Sequence, residues 1–335
     1  MLDELTRQVL DRVDLDEDQA EAALRAILSQ NAEDQLIAAF LVALGDKGEC
    51  DAEITGFARV MRELAVRVRT TRDAVVDTAG TGGGRPSFNI STAAALVAAG
   101  AGVAVAKHGN RAITSRSGSA DVLQELGVKI DCPASVSEKA LDELGICFLF
   151  APAYHPAMKR VARIRRELGR KTIFNMLGPL TNPASAPYQV VGVYAPELTQ
   201  KLAGALLKLG CRRAWVVHGL DGLDELSISA PSLVCRVEEG ACSSFEFNPV
   251  LARLAVPEGG TPAENALLIR GLLDGSVTGP AREVVILNAA VTVHVSTGSP
   301  LSRCTEMVED ALLRGAARRK LNQLVEFYSS SGGDA

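Results

Sequence analysis

The sequence predicts an α/β protein: a small all-helical domain plus a larger α/β domain with a central, mostly parallel sheet. Three observations predict it. Residues 1–70 carry helical periodicity only. From Ala74 onward, short apolar runs alternate with helical stretches, as in strand–helix–strand crossovers. Glycine-rich or charged segments then follow those runs directly, where open α/β sheets bind ligands.

Taken in order, residues 16–28, 36–44 and 53–66 show helical spacing, with Gly45 the expected stop of the second. Residues 75–77 read as a strand, then come a glycine loop, a helix from about Asn89 and a strand at 103–106. Further strands are expected at 190–194 and 214–217, with a helix at 197–209. Residues 233–247 read as extended segments with turns, an antiparallel addition, and 280–295 and 301–327 as closing helices. The basic helix at 158–169 is expected to rejoin the helical unit. The division is therefore 1–70 with about 158–180, against 71–157 and 181–335.

In a chain of 335 residues, 47% apolar content supports a sizeable core, and only 4% aromatics means that Ala, Val, Leu and Ile fill it. A net charge of -5 argues against a general nucleic-acid binder. The seven cysteines are widely spaced with no C-x-x-C pair, which reads as reduced, mostly buried thiols in a cytosolic protein. Met1-Leu2-Asp3-Glu4-Leu5 lacks the basic start of a signal peptide, and the apolar run 93–106 is too short to span a bilayer, so no membrane association is expected.

Four segments carry chemistry. Gly80-Thr81-Gly82-Gly83-Gly84 lies between a strand and a helix, where bare backbone N–H groups and a helix start suit an anion. It is neither a P-loop nor a dinucleotide fingerprint, and alone a tight turn explains it as well. Asn89, Ser91 and Thr92 follow at the helix start, as caps or as phosphate and metal ligands. Arg85 adds positive charge beside the loop. Lys107-His108-Gly109-Asn110-Arg111 follows a strand; Lys107 can pair with phosphate, and His108 and Asn110 can bond a small polar ligand. Ser115-Arg116-Ser117-Gly118-Ser119 forms a second phosphate-type loop. In Asp221-Gly222-Leu223-Asp224-Glu225, adjacent carboxylates suit Mg²⁺, although an acidic turn accounts for them equally. Arg165-Arg166 precedes the run from Thr172 to Pro183; an arginine fork fits a planar carboxylate, and only one of two neighbours on a helix can reach it. No spacing pairs a nucleophile with a base.

The runs Lys107-His108-Gly109-Asn110-Arg111 and Asn175-Met176-Leu177-Gly178-Pro179-Leu180-Thr181-Asn182-Pro183, with Gly80 to Thr92 and His218 to Glu225, resemble the anthranilate phosphoribosyltransferases of tryptophan biosynthesis. The resemblance runs nearly end to end. It implies the fold of the pyrimidine nucleoside phosphorylases, a cytoplasmic homodimer joined through the helical domain, and Mg²⁺. The substrates it implies are 5-phosphoribosyl 1-pyrophosphate and anthranilate. It assigns Gly80, Thr81, Gly82, Gly83, Asn89, Ser91, Thr92, Lys107 and Ser119 to the donor. Ser91, Asp224 and Glu225 fall to the metal, and Gly80, His108, Asn110, Arg165, Gly178 and Pro179 to anthranilate. Transition-state charge would be met by Asp224, Glu225 and Lys107. One departure stands out: the family's loop reads G-T-G-G-D, whereas here Gly84 follows Gly83 and the loop is one residue short. Two rivals remain: a nucleoside phosphorylase-like enzyme, and a non-catalytic nucleic-acid-binding paralogue. The second should have lost the acidic pair and gained basic charge, and the sequence shows neither.

Overall fold

The computed structural model describes the chain except residues 30, 113–115, 250–254 and 331–335. Four helices open it: α1 (Leu2–Leu10), α2 (Glu17–Leu28), α3 (Asp34–Lys47) and α4 (Asp51–Leu64). The Asp16 carboxylate caps α2 at the Gln19 N–H (2.8 Å), and the Gln19 side chain returns to the Asp16 N–H (3.1 Å). Fully buried Glu53 closes the bundle: it accepts from the N–H groups of Leu15 (3.0 Å) and Cys50 (2.9 Å) and pairs with Lys47. Helix α3 does not stop at Gly45. It continues to Lys47 and ends at Gly48, whose φ of +88° only glycine adopts freely. Gly45 instead keeps that turn bare beside the Arg170 guanidinium, 3.7 Å from where a Cβ would stand.

The sheet follows, with β1 (Val75–Gly80), α5 (Ile90–Gly100), β2 (Ala104–Gly109), α6 (Ser119–Glu125), α7 (Ala134–Leu144) and β3 (Ile146–Phe150). The chain then makes α8 (Ala151–Tyr154), α9 (Lys159–Leu168) and α10 (Phe174–Leu177) before β4 (Tyr188–Gly192), α11 (Leu198–Lys208) and β5 (Arg213–Gly219). The hairpin β6 (Ser232–Glu238) and β7 (Ala241–Phe247) precedes α12 (Pro262–Asp274), α13 (Pro280–Thr297), α14 (Leu301–Leu313) and α15 (Ala316–Ser330). Strand order is β3-β2-β1-β4-β5-β6-β7. The first five are parallel and the hairpin adds antiparallel to β5. Glu239 and Gly240, both at positive φ, turn the hairpin.

Side chains alternate across the sheet. Val191, Val193, Ala214 and Val216 pack with α11 and the N-terminal helices; Val190, Trp215 and Val217 pack the other way with Val291 and Val295 of α13. The segment 158–180 shares the first of these cores. Val161 and Ile164 are buried there, and Phe174 meets Phe57 edge-on at 5.9 Å. Arg160 and Arg163 of α9 both pair with Asp34 of α3.

Three further expectations change. Strand β3 was not anticipated: five apolar residues in a row have no period and read equally as buried helix. The closing segment 301–327 is two helices, broken where Gly315 takes φ +65°. Strand β2 extends to Gly109, so Lys107 and His108 lie within it, on opposite faces, rather than in a loop after it.

Helix α15 is fastened to β3 by Tyr328. Its hydroxyl is fully buried, shares a hydrogen with Ser137 Oγ (3.0 Å) and accepts from the Phe148 N–H (3.2 Å). We expect Tyr328→Phe to lower stability by about 1–3 kcal/mol, because it strands these buried partners; equilibrium urea unfolding measures it, with steady-state activity unchanged at 25 °C.

Candidate active site

Strand order reverses at β1, with β2 on one side and β4 on the other, and the loops leaving the C-terminal ends of β1, β2, β4 and β5 converge there. The centre is Lys107. Its buried ammonium donates to the Thr78 carbonyl (2.6 Å) and to Ser91 Oγ (3.3 Å). Burial pulls its pKa down while Asp77 and Glu225 hold it up. Asp77, buried in β1, is pushed up to about 6 by burial, against the pull of Lys107, and its Oδ1 accepts from the His108 N–H (3.1 Å).

The acidic turn sits on bare backbone. A Cβ at Gly192 would collide with the Asp224 carbonyl; one at Gly84 would stand 2.9 Å from the Asp224 nitrogen and 3.0 Å from its Oδ1; one at Gly80 would stand 3.2 Å from its Oδ2. Asp224 is thereby held against the start of the glycine loop. Glu225 Oε1 accepts from the Ser91 N–H (3.1 Å). Burial, then repulsion from Asp224, pushes Glu225 up to about 8, and burial raises Asp224 as well. Two adjacent, largely desolvated carboxylates resist ionising together unless a cation joins them. With the Ser91 hydroxyl beside Glu225 they form a hard-oxygen donor set suited to Mg²⁺ completed by water and phosphate.

The glycine loop is tied to the same turn. Arg85 donates from its backbone N–H to the Gly222 carbonyl (2.7 Å) and from its guanidinium to Asp221 Oδ2 (3.3 Å) and the Val256 carbonyl (3.2 Å). The expected free charge beside the loop is thus spent on Asp221. Thr81 Oγ1 accepts from the Tyr194 N–H (3.2 Å), linking the loops after β1 and β4.

Other expected donor residues fall into two groups. Asn89 is engaged with protein: its amide donates to the Ser117 carbonyl (3.1 Å), and its oxygen accepts from Ser117 Oγ (2.9 Å) and Asn265 Nδ2 (3.0 Å). Thr92 is buried and its hydroxyl lacks a partner. Ser119 opens α6 with its hydroxyl 3.4 Å from the Asn110 carbonyl. Ser115 lies outside the described residues. Gly82 and Gly83, at φ +65° and +84°, turn the loop.

Across β2, His108 Nδ1 donates to the Gly178 carbonyl (3.0 Å), and its buried Nε2 has no partner. His155, which the sequence did not single out, lies ring to ring with it at 5.3 Å, also with an orphaned Nε2. Burial depresses both imidazoles, to about 3 and about 4, so both are neutral. Gly178 leaves open space in front of it and Pro179 is buried behind. Asn110 is exposed, its Oδ1 accepting from the Arg111 N–H (2.8 Å). Arg165 is half-buried against the Phe174 ring (5.5 Å) and donates to Asn175 Oδ1 (3.4 Å), with no carboxylate partner among the described residues; Arg166 is exposed. Besides His155, sequence reasoning missed Lys171 and Tyr194, whose neighbours in space are far away in sequence.

The two domains match known families. Residues 72–318 match the sequence model of the glycosyl transferase family, a/b domain, and residues 3–65 that of its helical bundle domain. The anthranilate phosphoribosyltransferase of Moorella thermoacetica is 50% identical over 323 residues, 94% of this chain and 95% of that protein. This chain belongs to the anthranilate phosphoribosyltransferase family. A second family member, from Symbiobacterium thermophilum, is 50% identical over 330 residues, 96% of each chain. Among solved structures of the family, that from Thermus thermophilus is 40% identical with a TM-score of 0.90, covering 97% of this chain and 99% of that one. The enzyme of Saccharomyces cerevisiae in complex with PRPP and Mg is 29% identical with a TM-score of 0.89, covering 98% of both.

A buried imidazole with a depressed pKa stabilises the fold fully above about pH 6.5, its unfolded value, and that contribution is lost as pH falls toward the folded value. We expect wild-type melting temperature to drop more steeply than that of His155→Gln as pH falls from 7 to 5. Parallel curves in thermal scans would remove His155 from this account.

Proposed function

We infer that this chain transfers the phosphoribosyl group of PRPP to the amino group of anthranilate, releasing pyrophosphate, in tryptophan biosynthesis. The observation that carries this reading is the half-buried Arg165, with no carboxylate partner among the described residues, on one side of β2, with the phosphate-type loop and the half-buried carboxylate pair on the other.

Asp224, Glu225 and the Ser91 hydroxyl would hold Mg²⁺. When bound, Mg²⁺ neutralises charge on the departing pyrophosphate oxygens. The remaining work falls to the chain's own residues. Gly80, Thr81, Gly82 and Gly83 form the cradle for the pyrophosphate, with the Thr81 N–H held on the Gly192 carbonyl (2.9 Å) and the Gly82 N–H on Asp224, and Asn89, Ser91, Thr92 and Ser119 shape the rest of the donor site. Lys107 adds positive potential from beneath while keeping Glu225 in place. Arg165 and Asn110 orient anthranilate so that its amine faces the ribose C1 as the bond to pyrophosphate breaks. His108, Gly178 and Pro179 line its approach. The amine becomes acidic once bonded to C1, so positioning supplies much of the rate and no strong base is required.

We propose further that residues 158–180 work as part of the helical unit 1–70, with 71–157 and 181–335 holding the donor; their shared core supports this. We propose a homodimer joined through the helical unit, where Leu10 and Val13, 64% and 52% exposed, supply uncovered apolar surface. We place the enzyme in the cytoplasm, where its thiols stay reduced. No single described helix is long and apolar enough to cross a membrane.

Purified protein should consume anthranilate, read by its fluorescence, only with both PRPP and Mg²⁺ present; turnover of thymidine with phosphate instead would overturn the reading. Asp224→Asn with Glu225→Gln should lower kcat by about 10²-fold or more with the fold intact by circular dichroism. Arg165→Ala should raise the KM for anthranilate about tenfold or more, with a small effect on that for PRPP, and Arg166→Ala should change both little.

A further inference from the structure

The segment that carries Arg165 carries a second cation. Arg170 is paired with Asp46 of α3 at 2.5 Å. The next residue, Lys171, is exposed, has no ion-pair partner among the described residues and reaches in the opposite direction. Its Nζ lies 3.3 Å from the Tyr194 ring centroid. The same atom lies 3.1 Å from where a Cβ on Gly83 would stand, so the ammonium sits directly against the glycine loop. Tyr194 is itself fixed to that loop through its N–H to Thr81 Oγ1 (3.2 Å), and the Thr81 N–H donates to the Gly192 carbonyl (2.9 Å). Asp224 is the acidic group whose charge Lys171 feels.

We propose that Lys171 is a substrate-binding residue whose ammonium contacts the pyrophosphate of the donor from the helical side. The proposal rests on the phosphoribosyl-transfer reading above and deepens it. A ring face satisfies one side of an ammonium and leaves its other N–H donors available. The ammonium borders Gly83, within reach of the charge of Asp224, where a polyanion held by the loop and by Mg²⁺ would lie. Residues 80–86 of the loop include no carboxylate, so nothing in the loop itself competes for the cation. Gly83 admits the lysine because it has no side chain to block it. The last turn of α9 and the residues just after it then meet both substrates: Arg165 faces the carboxylate of the acceptor, and Lys171 faces the leaving group of the donor. The hydrogen bonds of Asn175 Oδ1 with Arg165 (3.4 Å) and the Thr172 N–H (3.0 Å) hold the two as one piece.

The test is calorimetric titration of PRPP with Mg²⁺, without anthranilate, into wild type, Lys171→Met and Lys171→Arg. The Met variant should bind about 10- to 100-fold more weakly, the range of a lost charge-assisted hydrogen bond, and the Arg variant should recover most of the affinity. Inhibition by Mg-pyrophosphate should weaken in parallel in the Met variant, while binding of ribose 5-phosphate stays within about twofold. Tyr194→Leu should give a smaller loss of the same pattern. PRPP binding by Lys171→Met equal to wild type, or an equal loss for pyrophosphate and ribose 5-phosphate, overturns the proposal. Failure of wild type itself to bind PRPP would instead overturn the reading of the whole site, this residue included.

Discussion

The site depends on one buried charge. Lys107 lies under the loops with its ammonium on the Thr78 carbonyl and beside Ser91, between Asp77 and Glu225. An unpaired ammonium could not remain there, because removing a charge from water costs far more than a domain's net stability. It therefore stays only if β1 supplies Asp77 and Thr78, the start of α5 supplies Ser91, and the turn after β5 supplies Glu225. The same constraint acts in reverse on Glu225, which burial and Asp224 both drive toward neutrality and which Lys107 and Ser91 hold in place. Four elements distant in sequence are locked into one geometry before any substrate arrives, which is what preorganised electrostatic catalysis requires.

Around that charge, backbone is brought against backbone by the absence of side chains. Gly192 at the end of β4 faces the Asp224 carbonyl, and Gly84 lies against the Asp224 nitrogen. The metal turn therefore rests on the floor of the donor loop. Arg85 secures this contact by fastening the loop to Asp221 and to the Val256 carbonyl. A residue that looks in sequence like an extra positive charge for the substrate is, in the fold, a strut.

Much of this was legible in the sequence, and the limits have physical causes. The glycine run, the Lys107 to Arg111 cluster and the Asp224–Glu225 pair were visible because chemistry concentrated in a few consecutive residues breaks the background pattern. Asn89 was visible as well, but not its engagement with Ser117 and Asn265, since a cap, a ligand and a loop anchor use the same side chain. Strand β3 escaped because a wholly buried run has no period. Lys171 and Tyr194 escaped because their meaning lies in what they touch: a ring and a glycine that are neighbours only after the sheet and the helices have packed. Arg85 was misread for the same reason, its partner lying 136 residues away.

The packing of α9 and α10 against the N-terminal helices has a consequence for how the molecule can be cut. Arg160 and Arg163 reach Asp34, Arg170 reaches Asp46, and Phe174 fills the space beside Phe57. The bundle is thus completed by residues the ribosome adds about a hundred positions after its fourth helix. During synthesis the first 65 residues emerge with Phe57 and the carboxylate of Asp34 uncovered, and they wait for three strands of the sheet to be made before their missing wall arrives. Evolution has therefore not been free to exchange the small unit as a cassette: any swap must carry an inner stretch of the larger unit with it.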